Sequence, residues 1–291
     1  MGRHIIVWSA HRRSYLLALL SPLASLATQP DPLDIVKRSV AVATENIKRG
    51  RNYTFLQRTE ELQRGPTGEI KSKLSKTWDV TMLEGSSYRR LIERNDRPLP
   101  PDEEKHEEEK LRKSIEERRH ETAAERAERM AEHDRKPGRN RNVLQEIPEA
   151  FDFRMRGEEL VNSRPAYVID AMPRAGYRPR SSEARIFLPK LKATLWIDKA
   201  DLNWVKVDAE VIDNISWGWF LFRLAKGAHM SMEQVRVNDE VWLPHRMQIS
   251  LAARIGLIKR LNMEQDLTFR NFRKFQSDSQ IVSSSELRTA P

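Results

Sequence analysis

Between Val241 and Ile255 the sequence VWLPHRMQISLAARI places Val241, Leu243, His245, Met247, Ile249, Leu251, Ala253 and Ile255 at every second position, with Trp242, Arg246, Gln248, Ser250 and Arg254 between them. A two-residue period belongs to a strand, whose successive side chains leave the pleat on opposite sides. On a helix the same apolar residues would scatter around the circumference and leave no face to bury. The pattern recurs. Ile70, Leu74, Trp78, Val80 and Met82 alternate with Lys71, Lys73, Ser75, Thr77, Asp79 and Thr81. LWIDKADLNWVKVDAEV, residues 195–211, reads as a hairpin turning at Asp198-Lys199-Ala200-Asp201. Leu261, Met263, Leu267 and Phe269 share a face against Arg260, Glu264, Asp266 and Arg270, and shorter strand-like runs lie at 53–62, 88–93, 151–153, 166–171 and 229–237.

Strands that are oily on one side and wet on the other predict an antiparallel sheet with a single buried face. The composition agrees, at 39% hydrophobic and 32% charged residues. The net charge of +9 comes from 51 basic residues spread along the chain among 42 acidic ones. No nucleic-acid-binding motif accompanies them, so nucleic acid is excluded as a partner, while contact with an anionic membrane surface stays open. The chain has no cysteine, which excludes disulfides, cysteine metal sites and lipid attachment through an N-terminal cysteine.

Three segments break the alternation. Residues 1–27 read as a signal peptide: His11-Arg12-Arg13 supply the positive region, 15–26 a short apolar run, and Ser25-Leu26-Ala27 the small residues before cleavage after Ala27. The apolar run is too short to span a bilayer. A periplasmic location and one domain over 28–291, with a polar tail from about 277, are the resulting expectations. Residues 32–49 predict a helix capped by Asp31, with Pro32 in its first turn, Gly50 as its stop and Leu33, Val36, Val40, Ala43 and Ile47 on one stripe. That stripe suits an ordinary packing helix, or a lid presenting Val36, Val40 and Ile47 to a cavity. Residues 100–136 predict a solvated helix ended by Pro137-Gly138, with Leu111, Ile115 and Met130 its only large apolar residues. It reads as a charged insertion, or as an arm that binds an envelope protein partner.

Signatures of catalysis are missing. There is no G-x-S-x-G, no phosphate-cradling glycine loop and no H-E-x-x-H. His229 and His245 fall in neighbouring strands, but no third ligand stands at a metal-site spacing. Asp198 and Asp213 lie beside tryptophans, and Asp198 opens a bend where aspartate is expected on structural grounds. Neither catalytic residues nor a metal or cofactor is expected, and the chain is read as a non-enzyme. Trp196, Trp204, Trp217, Trp219, Phe220 and Phe222 crowd one short segment, as a core or a ligand mouth would require.

The Trp196-Ile197-Asp198 step into a turn and the strand Val205-Lys206-Val207, with Trp242-Leu243-Pro244 before the long alternating run, resemble the outer-membrane lipoprotein-sorting family, the superfamily of periplasmic lipoprotein carriers. The resemblance implies a mainly β fold with flanking helices: an open, strongly curved antiparallel half-barrel with a helical lid and an apolar interior that accepts acyl chains. Trp78, Val80, Leu243, Met247, Ile249 and Leu251 would then touch lipid or acylated-protein cargo. Arg58 and Arg89 are the candidates for the arginine that tethers the lid in such carriers. The charged insertion departs from the family pattern. Two other readings remain: an envelope sensor or scaffold that binds a protein segment through the same fold, and an outer-membrane barrel, since alternation does not say whether the oily side faces inward or lipid.

Overall fold

Asp31 accepts a hydrogen bond from Leu33 N at 3.0 Å and starts helix α1 (Pro32–Gly50), with Pro32 in the first turn, where its missing N–H costs nothing. The computed structural model describes residues 29–217, 222–255 and 259–275, and the chain from Asp31 onward forms one unit. The expected signal segment and polar tail lie outside the described residues.

After α1 the chain forms β1 (Tyr53–Arg64), β2 (Ile70–Leu83), β3 (Ser86–Arg94) and the short β4 (Arg97–Pro98). Two helices, α2 (Pro101–Arg119) and α3 (Ala123–Ala150), lead to β5 (Phe151–Val161) and β6 (Arg164–Pro173). Helix α4 (Ser182–Phe187) precedes β7 (Leu191–Asp198), β8 (Trp204–Val211), β9 (Ile215–Trp217), β10 (Phe222–Leu224), β11 (His229–Val237), β12 (Val241–Ile255) and β13 (Lys259–Lys274). Four two-residue turns, Glu84-Gly85, Asn95-Asp96, Asn162-Ser163 and Asn238-Asp239, place both central residues at positive φ. That geometry matches the twist of antiparallel strands, and asparagine, aspartate and glycine tolerate it best.

All strand pairings are antiparallel, and the main order is β4-β3-β2-β1-β13-β12-β11-β8-β7-β6-β5. The order ends at β4 and β5, so the sheet is an open half-barrel and not a closed transmembrane barrel. Its path doubles back. The chain builds one edge first, crosses to the opposite edge, and returns to fill the middle.

The crossing is made by α2 and α3, where the structure departs from the single helix read over 100–136. Thr122 and Glu125 form a reciprocal capping box that starts a second helix. That helix runs past Pro137-Gly138 to Ala150. A proline inside a helix costs about 3 kcal/mol. Contacts nearer the helix C-terminus offset the cost: Leu144 and Ile147 pack into the main core, Val143 and Ala150 into a neighbouring cluster, and buried Glu146 accepts hydrogen bonds from Arg180 N and Ser181 N at 2.7 and 3.1 Å. At the other end Arg118 donates to Leu83 O and Ser86 O, and Arg129 donates to Ser86 Oγ and Glu84 O. At about 1.5 Å per residue, α3 is about 42 Å long, and it touches both β3 and β5.

The main core joins Ile35, Val36 and Val40 of α1 to Ile169, Leu195, Ile197, Trp204 and Val207 of β6, β7 and β8. Polar contacts fix the helix further. Trp204 Nε1 donates to buried Ser39 Oγ at 2.8 Å, and Asn46 brackets the Trp242 backbone, donating to its carbonyl and accepting from its N–H, both at 2.7 Å. Trp242 Nε1 in turn donates to Asp201 Oδ2 at 3.1 Å. The W-I-D turn and the W-L-P strand, distant in sequence, therefore meet beside α1. Asp198, 1% exposed, accepts two bonds from Arg164 at 2.6 and 2.9 Å and two from the N–H groups of Ala200 and Asp201. Burial alone would raise its pKa, but these donors outweigh it and hold the carboxyl down at about 2. Asp201 moves the other way, raised by burial and then by its hydrogen bond with Asp198, whose charge adds to the effect.

Asn46→Ala leaves the Trp242 N–H and carbonyl without their partner and should lower unfolding stability by about 1–3 kcal/mol in denaturant titration. Asp198 has a folded pKa below its unfolded value of about 3.9. Its stabilisation is thus present above about pH 4 and is lost as pH falls toward 2. Arg164→Met should move the acid-unfolding midpoint, followed by circular dichroism, to higher pH; an unchanged midpoint would refute the assignment.

Candidate functional site: the inner face of the sheet

Strand pairing decides which side chains share a face. The row Val207-Met232-Met247-Leu267-Thr59-Lys76 crosses six strands in register. Val207 packs against α1, so the whole row points to the helix side. Residues two positions along share that side. Ile249-Gln265-Glu61-Leu74 and Leu251-Met263-Gln63 lie beyond it in one direction, Phe269-Gln57-Trp78-Leu91 in the other.

The helix side is too wide for one helix. Eleven strands about 4.8 Å apart span roughly 48 Å, whereas α1 is about 10–12 Å across. It covers β6 to β8, and the opposite stretch of the inner face stays partly open. Met247, Ile249, Met263, Leu267 and Trp78 are half-buried there, and Met230, opposite Ile249, is 37% exposed. Beside this stripe, β1 contributes a polar ladder: Gln57 donates to Thr59, and Gln63 and Gln265 both donate to Glu61 at 3.0 Å. One end is aromatic. Phe55 packs against Phe269 and Phe272 with ring centroids 5.6 and 6.1 Å away, and the Arg89 guanidinium lies 4.9 Å over Trp78.

The outer face differs in kind. The row Arg154-Asp170-Thr194-Asp208-Ser231-Gln248-Asp266-Glu60 is polar throughout. Two grooves of about 540 and 400 Å³ lie over it, lined mainly by charged and polar groups such as Arg154, Asp170, Asp208, Glu210, Glu60 and Asp266. These grooves are not the apolar hollow that the alternation suggested.

The expected ligand residues separate into three groups. Trp78, Met247 and Ile249 stand half-buried on the inner face, with Val80 buried next to them. Leu251 packs toward the Val211, Ile215 and Ala228 cluster, and Leu243 is buried with Tyr53 and Val241. The reading that Val241 to Ile255 present one uninterrupted face is corrected by a bulge: pairing slips between Glu233 and Gln234 and leaves His245 exposed without a partner across the ladder. Of the proposed lid residues, Val36 and Val40 are core and Ile47 is half-buried. Arg58 pairs with Asp96 and Glu60 on the outer face, away from α1. His229 donates to or accepts from Asp208 at 2.8 Å, and among the described residues no group of three His, Asp or Glu is placed to hold a metal. Trp204 belongs to the core, while Trp219 and Phe220 lie outside the described residues. Sequence reasoning placed Met263 on an apolar face but missed Met230 and Met232 as part of the stripe, although their strand positions carried the signal.

No protein-family model matches the sequence, and no curated protein matches it. Among solved structures, an outer membrane lipoprotein-sorting protein domain from Vibrio parahaemolyticus is similar at 11% identity over 84% of this chain and 95% of its own, with a TM-score of 0.35. A LolA superfamily protein from Nitrosomonas europaea matches at 8% identity over 86% and 96%, with a TM-score of 0.30. MucB of Pseudomonas aeruginosa, solved with MucA, matches at 11% identity over 83% and 99%, with a TM-score of 0.24. These are loose likenesses that assign neither ligand nor partner to this chain.

Proposed function

We propose that this chain is a hydrophobic-ligand binding and carrier protein of the cell envelope, exported by residues 1–27 and acting in the periplasm without covalent chemistry or cofactor. The observation that carries the reading is the half-buried stripe of Trp78, Met247, Ile249, Met263 and Leu267 on the helix side of an open sheet. A large apolar patch left to water marks a binding surface or an aggregation hazard. Methionine suits such a floor, since its unbranched thioether adapts to chains of different shape.

The scale is adequate. Removing about ten methylenes from water gains roughly 8 kcal/mol at about 0.8 each, which gives about micromolar affinity when ordering costs are small. In this reading Val36 and Val40 pin α1 onto β6 to β8, so that the helix borders the site, and the acyl chain lies beside it. Helix α2, which has no buried residue, offers its charged flank to an envelope protein partner.

Titration of the purified protein with a fluorescent long-chain fatty acid tests the reading. Ile249→Asp and Leu267→Asp should each weaken binding by about tenfold or more while the thermal melt persists. Gln248→Asp, on the same strand but the outer face, should leave affinity unchanged. A fatty acid that ignores both inner-face substitutions, or fails to bind the unaltered protein, removes the proposal.

A further inference from the structure

Arg89 is one of several sheet arginines without a carboxylate partner among the described residues, with Arg90, Arg223, Arg254 and Arg270, and what sets it apart is the side of the sheet it occupies and the ring it covers. It stands directly opposite Val80 across the β2–β3 ladder, and Val80 shares its side of β2 with Trp78, so Arg89 points to the inner face. Most arginines here meet a carboxylate: Arg58 with Asp96, Arg64 with Glu264, Arg164 with Asp198, Arg246 with Asp266 and Arg273 with Asp79. Among the described residues Arg89 has no hydrogen bond and no ion pair; it stacks on Trp78 at 4.9 Å. It remains exposed, yet surrounding protein desolvates it enough to lower its pKa from the ordinary value. Lys76, two residues before Trp78 on the same side, also lacks an ion pair or hydrogen bond among the described residues.

A guanidinium held flat on an aromatic ring keeps its outward N–H groups available, and its planar fork matches a carboxylate or phosphate better than it matches water. The apolar stripe begins next to it. From β3 to β11 the inner face spans five strand spacings, roughly 24 Å at about 4.8 Å each, a length suited to a long acyl chain, with its apolar residues interrupted at β1 by Gln57, Thr59 and Glu61 beside Phe55. We infer that Arg89, stacked on Trp78, is the headgroup site of the inner face, and that the ligand is a single-chain amphiphile with an anionic head. The head pairs with Arg89 and the tail runs over Leu267, Met247 and Ile249. The inference rests on the inner-face reading and adds its polarity: a charged end at β3, an oily end toward β11.

The test compares a long-chain fatty acid with the fatty alcohol of equal length, each displacing the same neutral fluorescent probe. The unaltered protein should prefer the acid by about tenfold. Arg89→Gln should remove that preference and leave alcohol binding intact, and Arg89→Lys should restore part of it. Arg90→Gln, one residue along on the outer side, should change neither. Equal binding of acid and alcohol by the unaltered protein overturns the headgroup assignment and leaves the lipid-binding proposal standing; binding of neither overturns both. Inorganic phosphate at millimolar concentration should not displace the fatty acid. Displacement by phosphate, but not by chloride at matched ionic strength, would mark a site for free anions and overturn the amphiphile assignment.

Discussion

A sheet eleven strands wide has more oily surface than the nineteen-residue α1 and the C-terminal end of α3 can cover, and most features of this protein answer to that mismatch. Where α1 lies, the inner face becomes a conventional core with Val36, Ile169 and Ile197 wholly buried. Beyond it, the same alternating strands keep their apolar residues only half out of water. The sheet cannot remedy this by closing, because its ends are β4 and β5, separated by the full width of the strand order. Helix α3 joins the two ends, touching β3 and β5, and packs against α1 between them.

The outer face solves the opposite problem. Its rows of alternating charge make ion pairs such as Arg246 with Asp266, Lys192 with Glu210 and Arg64 with Glu264. Exposed pairs contribute about 0–1 kcal/mol each, so they explain wetting and register better than stability. The edges are guarded by related means. β4 is two residues long, and β5 is interrupted by a bulge at Gly157, whose φ of 147° few other residues adopt. Stability rests instead on the α1 core and on the buried Arg164-Asp198 knot, where removal of one partner would strand a charge.

Much of this was legible in the residues. The strand period, the Asp31 cap and the hairpin at Asp198 are local signals, and local chemistry produced the corresponding elements. The half-barrel class came from alternation with a resemblance added. Where the reading failed, a distant contact decided. Pro137-Gly138 looks like a helix stop until Leu144 and Ile147 find the core on the far side. The capping box at Thr122 and Glu125 was written in the sequence, but a uniformly charged stretch hid the break between two helices. The bulge at His245 had one local signal, Pro244 beside it inside the strand, but its register belongs to the pair of strands. For the same reason strand alternation placed Met247 and Ile249 on one face but not which helix would shield them, and a charged β3 residue such as Arg89 gave no hint that it would lie over Trp78.

The pairing of β1 with β13 joins Tyr53 to Lys274, the first strand to the last. A chain made from its N-terminus delivers β1 long before its neighbour β13 arrives. Until the final strand is delivered, β1 carries a bare row of amide groups along an unfinished border, and so does β12. Assembly of this protein is therefore governed by its last described strand: premature termination would strand two sticky seams at once, and a chaperone that masks them during synthesis would matter more here than in a fold whose neighbours in space are also neighbours in time.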